Sequence, residues 1–566
     1  MRFAALATDY DGTLADEGIV SPAAVETLRR FRASGRRVIL LTGRTFASLL
    51  EVFPCPDEFD IIVAENGATL YNPATKSEKA LTDAPPAKFL KALESAGVAP
   101  LDVGRVVVAT SESQKQNVLD VIQQLGLELH IVFNKGSLMV LPGGVNKATG
   151  LQAALSELRL SRHNVAGIGD AENDHAFLAA CEFSGAVANA LPIIKQRVHF
   201  VSHYRDGKGV SELCDSILSD DLRGEYAWFG QPILVGRGEG GEDVTVDPYG
   251  VTLMAGPSGG GKSTLTTAFL EGLLAANYQF CAIDPEGDYE LVGRPLVLGK
   301  PHHVPAISEV LTALQQPEQS VIVNLLSLDL EERPAFFKGL CERLEDFRSK
   351  TGRPHCVIAD EAHHLLGSKD LPESCLPKDH GGLMLITVKP ERLPQPLLKS
   401  TRLVIAAGDD PEKTLRSYCE RVGSDPPAGL VAPRERGQCL GWRPGSPSAF
   451  VFTPVETQTT RIRHRRKYAE GELAPERSFY FRGPDGKLNL RAFNLITFLQ
   501  LMDGVDDETW LFHLKNRDFS DWFRREIKDE DLARDAEQVE QSPDASPQES
   551  RARFRTLITT RYTLPA

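Results

Sequence analysis

The chain lacks the features that would place it in a membrane or outside the cell. It contains no apolar run of about 18 residues, the length that a membrane-spanning helix needs. Met1–Ala7 is too short for a secretion signal and leads directly into a polar motif. The nine cysteines are scattered and form no Cys-x-x-Cys pair, which favours small core residues in a reducing compartment over disulfides or zinc ligands. We therefore expect a cytoplasmic protein with no membrane partner.

The chain also has fewer positively than negatively charged residues. The chain has 63 Lys and Arg against 77 Asp and Glu, a net charge of -14 at pH 7, which argues against a protein that coats nucleic acid with its whole surface. The 42% hydrophobic and 25% charged fractions are ordinary for globular domains. A chain of 566 residues is too long for one core, so we expect about two to four domains.

Residues 1–220 alternate short apolar runs with helical patterns. Such alternation predicts a doubly wound α/β domain, in which ligands bind at the carboxyl ends of the parallel strands. We predict helices at Ser21–Ser34 and Lys147–Leu158. The predicted buried strands are Phe3–Thr8, Arg37–Leu41, Asp60–Val63, Val165–Ile168 and Ser184–Val187.

Polar motif residues follow these predicted strands. They are Asp9 and Asp11 after the first strand, Thr42 after the second, Lys147 at the start of a helix, and Asp170 and Asp174 after a later strand. A carboxylate that attacks a phosphate needs its charge neutralised, and Mg²⁺ between acidic ligands provides this. A second carboxyl group can protonate the leaving oxygen and later activate water, while Thr and Lys side chains hold the phosphate oxygens. The set predicts a Mg²⁺-dependent site for phosphoryl chemistry.

This set resembles the haloacid dehalogenase (HAD) superfamily, and within it the Cof-type phosphatases. The motifs that carry the resemblance are Asp9-Tyr10-Asp11-Gly12-Thr13, Thr42-Gly43-Arg44, Glu65-Asn66-Gly67-Ala68, Gly169-Asp170-Ala171-Glu172-Asn173-Asp174 and Gly207-Lys208-Gly209-Val210. The resemblance implies that Asp9 is the nucleophile and forms an aspartyl-phosphate. It implies that Asp11 is the general acid and base, and that Thr42 and Lys147 bind the phosphoryl group.

The same resemblance implies a Mg²⁺ site and a cap. Asp170 would bind Mg²⁺ together with Asp9 and the Asp11 carbonyl, and Asp174 would support that site. In the resembled family a cap between the second and third motifs covers the site and selects the substrate. Here residues 81–140 predict a compact α+β cap. The substrate would be a phosphorylated small molecule that the sequence does not name. The alternative is a phosphatase fold kept as an inactive scaffold.

A second phosphate motif opens the middle domain, predicted at residues 221–455. A Gly-rich loop follows the predicted strand Val251–Ala255 and begins a helix, which is the context that a phosphate-binding loop requires. Its N–H groups would surround nucleotide phosphates, with Lys262 neutralising charge and Ser263 holding Mg²⁺. The residues that we expect to bind ATP are Gly256, Ser258, Gly259, Gly260, Gly261, Lys262, Ser263 and Thr264.

An acidic pair downstream completes this prediction. The strand-like run His355–Ala359 ends in Asp360 and Glu361. Asp360 fits a second Mg²⁺ anchor, and Glu361 fits the catalytic base that orients water. The alternative for the pair is a helix N-cap.

The middle domain resembles the HerA/FtsK-type ATPases of the additional-strand class. The resemblance covers about Thr252 to Gly423 and rests on Phe280–Asp284 with Pro285-Glu286-Gly287-Asp288-Tyr289, and on the segment Ala359–Leu366. That family builds ring motors that pump DNA or protein, which implies a homo-oligomer. Members commonly carry a sensor Gln after the strand beyond the acidic pair, whereas here Leu383–Ile386 is followed by Thr387-Val388-Lys389-Pro390.

The last segment, 456–566, predicts a small α+β domain. Its basic stretch Arg461–Lys467 could meet a phosphate backbone, and the alternative is a solvated face. Nearby aromatic residues could stack bases or form the core of the domain. The helical pattern at Phe493–Leu501 favours a core, and the acidic, polar segment Asp529–Pro547 predicts a frayed, partly disordered tail.

Taken together, the motifs predict a Mg²⁺-dependent phosphohydrolase fused to an ATP-binding and ATP-hydrolysing domain that gates it. One alternative is a DNA-acting ring translocase whose first domain processes phosphate ends. Another is a polynucleotide kinase–phosphatase, although a Glu361 that activates water suits hydrolysis better than transfer to a hydroxyl group. A nucleotide-sensing scaffold with little turnover is a further alternative.

Overall fold

Aliphatic runs form the strands, as expected where parallel strands are buried on both faces. In the computed structural model, Met1–Glu286 with Val292–Glu456 forms one compact unit, and Gly287–Leu291 with Thr457–Ala566 forms a second. The structure describes residues 1–134, 136–222, 230–289, 292–300, 303–366, 382–428, 435, 437–458, 473, 475–484, 486–527, 529–541 and 546–562. The basic stretch Arg461–Lys467 lies outside these residues, so its role stays a prediction.

The strands of residues 1–220 build a Rossmann-like sheet and a cap sheet. In chain order they are β1 (Ala5–Asp9), β2 (Arg37–Leu41), β3 (Ile61–Ala64), β4 (Thr69–Asn72), β5 (Ser77–Ala80), β6 (Asp102–Val103), β7 (Val108–Ser111), β8 (Leu129–Asn134), β9 (Ser137–Pro142), β10 (Val165–Gly169), β11 (Phe183–Ala186) and β12 (Phe200–Val201). The main sheet has the order β12-β11-β10-β1-β2-β3-β4-β5, parallel from β12 to β3 and antiparallel beyond. The cap sheet is β6-β7-β9-β8.

Helices flank the main sheet and one face of the cap. They are α1 (Pro22–Ala33), α2 (Phe46–Val52), α3 (Ala87–Ser95), α4 (Lys115–Leu125), α5 (Lys147–Leu158), α6 (His175–Ala180), α7 (Pro192–Lys195) and α8 (Asp206–Asp220). Asn146 caps α5, because its Oδ1 accepts the N–H of Ala148 at 2.9 Å and of Thr149 at 3.1 Å. The cap residue fixes where α5 begins and so places Lys147 in its first turn.

The α/β class and the cap sheet predicted from the sequence are confirmed. Strand Arg37–Leu41 and helix Lys147–Leu158 have the predicted bounds, and the other predicted elements of the main sheet shift by a few residues at their ends. In the cap, β7 begins only at Val108, although the two residues before it, Val106 and Val107, are also apolar. The reason is that Gly104 donates its N–H to the Val107 carbonyl at 2.8 Å, closing a tight turn between β6 and β7.

A larger mixed sheet follows. Its strands are β13 (Ile233–Gly238), β14 (Asp243–Val246), β15 (Val251–Ala255), β16 (Phe280–Asp284), β17 (Leu296–Leu298), β18 (Val321–Asn324), β19 (Cys356–Ala359), β20 (Gly382–Thr387), β21 (Leu403–Ala406), β22 (Cys439–Trp442) and β23 (Phe450–Pro454). The order is β14-β13-β23-β22-β21-β15-β20-β19-β16-β18-β17. Strands β21 to β17 are parallel, whereas β14, β13, β23 and β22 pair antiparallel.

The first five helices of this sheet connect parallel strands, and the sixth joins β21 to the antiparallel β22. They are α9 (Lys262–Ala275), α10 (Ile307–Leu314), α11 (Arg333–Thr351), α12 (Ala362–Leu365), α13 (Gln395–Lys399) and α14 (Pro411–Val422). Each sheet has its own hydrophobic core. Because β20 lies between β15 and β19, the strand before the Gly-rich loop and the strand before Asp360 are separated by one inserted strand.

The two sheets meet at the amino-terminal ends of their parallel strands. Asn164 precedes β10, Tyr278 and Gln279 precede β16, and His355 precedes β19. Each carboxyl edge, where such sheets bind ligands, therefore lies at the far end of the strands from this junction. A strand of four or five residues spans roughly 13–17 Å, so each carboxyl edge is about one strand length from the junction.

A buried hydrogen-bond network links Asn164 and His355 across the junction. Asn164 Oδ1 lies 3.2 Å from His355 Nε2, while Asn164 Nδ2 donates to the carbonyls of Arg2 at 2.8 Å and Gly352 at 3.3 Å. His355 Nδ1 accepts the Gln279 N–H at 2.9 Å, so Nε2 carries the proton that Asn164 accepts. Burial lowers the pKa of His355 well below its usual value, so the ring is neutral.

A second part of the network surrounds Glu182. Its carboxylate accepts the Tyr278 hydroxyl at 3.1 Å and lies 2.7 Å from His163 Nδ1, with Arg2 Nη2 at 3.7 Å. The rings of His163 and Tyr278 stack with centroids 3.7 Å apart. Buried polar groups are costly unless they are paired. These directional hydrogen bonds therefore fix one arrangement of the two sheets. A purely apolar contact would allow the sheets to slide past each other.

The second unit has a compact aromatic core. Its strands are β24 (Phe479–Phe481) and β25 (Leu490–Ala492), and its helices are α15 (Leu495–Gly504), α16 (Asp507–Asn516), α17 (Asp518–Trp522), α18 (Glu530–Glu540) and α19 (Pro547–Tyr562). The segment 529–547 was expected to be frayed, but its residues 530–540 form α18, while residues 542–545 lie outside the described part of the chain. Leu532, Ala533, Ala536 and Val539 recur at helical spacing and are buried, so they form one apolar face of this helix.

No helix in the described part of the chain is both long and apolar enough to cross a membrane.

We predict that Asn164→Leu destabilises the protein. The apolar side chain leaves the Arg2 carbonyl, the Gly352 carbonyl and the His355 Nε2–H buried without partners, and each such loss costs about 1–3 kcal/mol. Equilibrium unfolding in urea should therefore show a loss of at least about 1–3 kcal/mol. Asn117→Leu, an exposed position on α4, is the control and should change little. Equal stabilities of the two variants would contradict the network.

Candidate active site

Three buried carboxylates converge at the carboxyl edge of the first sheet. Asp9 ends β1, and Asp170 follows its parallel neighbour β10, so the pairing of the two strands brings their ends together. One carboxylate oxygen from each of Asp9, Asp170 and Asp174 lies within 4.8 Å of the others. Thr13 Oγ1 donates to Asp170 Oδ1 at 3.1 Å and orients it. The predicted metal-binding aspartates are therefore brought together by the fold.

Lys147 lies among these carboxylates. Its Nζ donates to Asp9 Oδ1 at 2.5 Å and to Asp174 Oδ1 at 2.6 Å. The other oxygen of Asp174 accepts the N–H groups of Asp170 and Ala171, both at 2.9 Å. Asp174 thus holds Lys147 on one side and the loop of Asp170 on the other.

The charges at this site do not balance without a cation. Burial, reinforced by Asp174 and Asp170, raises the pKa of Asp9 to about 8, and Lys147 only partly opposes this. Burial alone would lower the pKa of Lys147, but Asp174 and Asp9 outweigh it and raise that pKa. The Lys147 ammonium group pairs with two of the three carboxylates, Asp9 and Asp174. A divalent ion with oxygen ligands would remove the excess negative charge, so the donor set fits Mg²⁺.

Asp11 is held by Arg44, a residue of the Thr42-Gly43-Arg44 motif to which no role had been assigned. Arg44 Nε donates to Asp11 Oδ2 at 2.8 Å and Arg44 Nη2 donates to Oδ1 at 2.7 Å, a bidentate pair. The hydrogen bond to Asp11 also raises the pKa of Arg44. Thr42 is buried at the end of β2, and its Oγ1 accepts the Arg44 N–H at 3.1 Å. The signal was in Thr42-Gly43-Arg44, where a cation follows the strand next to that of Asp11.

The Gly-rich loop lies between β15 and α9 in the second sheet. Its glycines Gly256, Gly259 and Gly261 have φ of 152°, 81° and 97°, so a side chain would be strained there. A Cβ on Gly256 would also lie 2.1 Å from the Ala407 carbonyl. Lys262 Nζ donates to the loop carbonyls of Gly256 at 2.8 Å and Pro257 at 3.0 Å.

The other predicted ATP residues line the same turn. Ser258 is exposed on the loop and Gly260 is half-buried, while Ser263 and Thr264 occupy the first turn of α9. The Thr264 Oγ1 atom is buried and makes no hydrogen bond. A buried hydroxyl without a partner is costly.

Asp360 and Glu361 follow β19 on the same edge. Asp360 Oδ1 accepts the Glu361 N–H at 2.8 Å, and Glu361 has a φ of 44°. Glu361 Oε2 lies 3.4 Å from His363 Nδ1, and the Thr387 hydroxyl lies 3.1 Å from the same nitrogen. Burial lowers the pKa of His363 to about 4, assisted by His364 and nearby cations. Thr387 occupies the end of β20.

Comparison with known proteins assigns the first part of the chain. A sequence profile of haloacid dehalogenase-like hydrolases matches residues 6–101 and 99–213. Phosphoglycolate phosphatase 2 of Saccharolobus solfataricus is 30% identical over 226 residues, which cover 38% of this chain and 93% of that protein. The phosphoglycolate phosphatase of Methanothermobacter thermautotrophicus is 28% identical over 218 residues, covering 37% and 96% of the respective chains.

A solved structure matches the same region. A haloacid dehalogenase-like hydrolase from Bacteroides thetaiotaomicron aligns with a TM-score of 0.34 at 18% identity, covering 38% of this chain and 99% of that chain.

We predict that Lys147→Met destabilises the protein in the presence of a chelator. The variant leaves buried carboxylates without their ammonium partner, and removing one member of a buried ion pair costs about 3–5 kcal/mol. Unfolding in EDTA should show this loss, and added Mg²⁺ should recover more stability in the variant than in the wild type. Lys91→Met, at an exposed position on α3, is the control. An unchanged unfolding curve for Lys147→Met would contradict the arrangement.

Proposed function

The chain belongs, through residues 6–213, to the haloacid dehalogenase-like hydrolases, and we propose that this domain is a Mg²⁺-dependent phosphomonoester hydrolase that forms an aspartyl-phosphate on Asp9. The observation that carries the proposal is the buried group of Asp9, Asp170 and Asp174 around Lys147. This group combines a nucleophile, the ligands for a divalent ion and a cation for phosphate oxygens. It also argues against an inactive scaffold, because a buried charge cluster costs stability and a scaffold does not need one.

The proposed reaction has two balanced steps. A carboxylate oxygen of Asp9 attacks phosphorus, the bond to the leaving oxygen breaks, and Asp11 gives that oxygen its proton. Water then attacks the phosphorus of the aspartyl-phosphate, Asp11 takes up the proton, and inorganic phosphate leaves with Asp9 restored. Lys147 and Thr42 hold the phosphoryl oxygens. Mg²⁺, held by Asp9, Asp170 and the Asp11 carbonyl with support from Asp174, would supply charge neutralisation when bound.

We propose 2-phosphoglycolate as the first substrate to test. Several relatives that align over nearly their whole length are named phosphoglycolate phosphatases. The site itself recognises a phosphate group, so other small phosphomonoesters form the comparison panel.

We predict that Asp9→Asn abolishes phosphatase turnover while the fold survives. The amide keeps the shape but cannot act as the nucleophile, so hydrolysis of 2-phosphoglycolate should fall by more than about three orders of magnitude. Released phosphate measures the rate, and Asp57→Asn, at an exposed position, is the control. Wild-type rates in Asp9→Asn on every ester of the panel would refute the assigned nucleophile.

The second candidate function is ATP binding and hydrolysis by the middle sheet. What supports it is the position of the Gly-rich loop between β15 and α9, the acidic pair after β19, and the strand β20 inserted between them. The inserted strand is consistent with an ATPase of the additional-strand class. The buried Thr264 hydroxyl, which makes no hydrogen bond, favours a phosphate ligand on this turn. The Lys262 ammonium group lies at the same loop, where it donates to the Gly256 and Pro257 carbonyls.

Gating of the phosphatase by ATP would have to act through the junction. The loop and the Asp9 site lie at carboxyl edges that the junction separates. This arrangement does not fit direct transfer of a substrate between the two sites. It fits gating in which ATP binding shifts the strands at the Asn164–His355 contact and so alters the phosphatase site. Assembly into a ring and action on DNA remain alternatives that the nucleotide experiments test.

We predict that two variants separate ATP binding from hydrolysis. Lys262→Ala removes the phosphate countercharge and should weaken binding of a fluorescent ATP analogue, whereas the exposed Lys350→Ala should not. Glu361→Gln should bind the nucleotide but stop phosphate release, since an amide cannot accept a proton. Undiminished hydrolysis in Glu361→Gln would contradict its role as base.

The same preparations distinguish the alternatives. Stimulation of hydrolysis by DNA together with ATP-dependent assembly favours the ring motor. A change in phosphoglycolate turnover with ATP, without DNA stimulation, favours gating. Identical phosphatase kinetics with and without ATP would reduce the second domain to an attached module.

A further inference from the structure

A carboxylate of the main domain binds the backbone of the cap. Glu65 follows β3 and is buried. Its Oε1 accepts the N–H of Arg105 at 2.8 Å, and its Oε2 accepts the N–H groups of Val106 and Val107, both at 2.8 Å. Gly104 is required beside them, because a Cβ there would lie 2.6 Å from the Glu65 carboxyl carbon. The turn between β6 and β7 therefore encloses this carboxylate with its amides.

The backbone of Glu65 bonds to the segment that holds Asp11. Glu65 donates its N–H to the Arg44 carbonyl at 2.8 Å, and Asn66 donates its N–H to the Thr42 carbonyl at 2.9 Å. Glu65 and Asn66 have φ of 51° and 55°, in the left-handed region. Strain of this kind persists only where the surroundings enforce it, and it is typical of functional sites. The turn is thus held in one shape beside Thr42 and Arg44.

The following residues contact the rest of the charged site. A Cβ on Gly67 would lie 2.0 Å from the Asn146 carbonyl, so the turn packs directly against the residue before Lys147. Asn66 Oδ1 accepts the Asn173 side-chain N–H at 3.4 Å, next to Asp174. One short turn therefore contacts the segments of Arg44, of Lys147 and of Asp174.

Apolar contacts surround the bonds to the cap. Ala68, Val106, Val107, Met139, Leu141 and Val145 form a buried cluster between the turn and the cap. The cluster excludes water from the Glu65 carboxylate. Hydrogen bonds to a charged acceptor are strong in such surroundings. The three bonds to Glu65 therefore attach the cap to the main domain at one defined position.

We propose that Glu65 is a positioning residue that latches the cap onto the catalytic domain and couples cap closure to the placement of Arg44, Asp11 and Lys147. The proposal rests on the proposed phosphatase function for its kinetic consequence only. When the cap lifts, the amides of residues 105–107 leave Glu65, and the turn at Glu65–Gly67 loses its contacts with the cap while its bonds within the main domain remain. When the cap closes, the turn is fixed and the residues that it contacts are held for reaction.

The test compares Glu65→Gln with Glu78→Gln. Glutamine keeps the shape of the side chain but turns an NH₂ group towards backbone donors. Glu78, on β5, pairs with the Arg105 side chain at 3.6 Å, so its variant perturbs the same turn without touching the latch. Gly104→Ala opens the latch from the cap side, because its methyl group takes the position of the carboxylate.

Hydrogen exchange gives the direct measurement on the full chain. In Glu65→Gln and Gly104→Ala the amides of residues 105–107 should exchange at least about 10-fold faster, while those of α4 and β9 stay as in the wild type. Glu78→Gln should leave all of them unchanged. Unchanged exchange at residues 105–107 in both latch variants overturns the proposal, and so does faster exchange throughout the cap, which indicates a purely structural role.

Kinetics and inhibition test the coupling. In the latch variants kcat for 2-phosphoglycolate should fall about 10-fold or more, since small displacements of catalytic groups are costly, and the inhibition constant for vanadate should rise in parallel. Faster exchange with unchanged kcat and unchanged vanadate inhibition overturns the coupling. If the wild type hydrolyses no ester, the proposed phosphatase function is wrong, but the proposed role of Glu65 is still tested. Hydrogen exchange at residues 105–107, measured with and without vanadate, does not depend on turnover.

Discussion

The buried ammonium group of Lys147 is the contact on which the first domain depends. It lies between Asp9 and Asp174, and a charge in this environment is tolerated only when its partners are in place. The Asn146 cap fixes the start of α5, and the close approach of Gly67 fixes that helix against the main sheet. The geometry of the site therefore follows from the fold, which brings the carboxyl ends of β1 and β10 and the first turn of α5 close together.

The cap and the junction place two further constraints on this domain from opposite directions. At the carboxyl edge, Glu65 binds the cap turn and contacts the segments of the charged residues. At the amino edge, Asn164 and His355 lock the domain to the second sheet. The domain is thus held at both ends of its strands.

Much of the site could be predicted, because its residues lie in short motifs directly after apolar runs. Asp9, Asp170 and Lys147 were assigned to one site for that reason, and the fold brings them together. Arg44 and Glu65 were present in quoted motifs without a role, since their partners are 33 and about 40 positions away in sequence. The tail at 529–547 was expected to be frayed because its composition is acidic, whereas its sparse apolar residues recur at helical spacing and bury one face of α18.

The sequence by itself determined which residues carry charge, which runs become buried strands and where the Gly-rich loop begins, because these are local properties of composition and spacing. Tertiary structure decided which of these residues contact each other. It paired Asp11 with Arg44, placed Glu65 under the amides of the cap turn and joined the two sheets at their amino ends. These contacts depend on hydrogen-bond directions and close packing between segments distant in the chain, and no local pattern encodes the distance between two such segments.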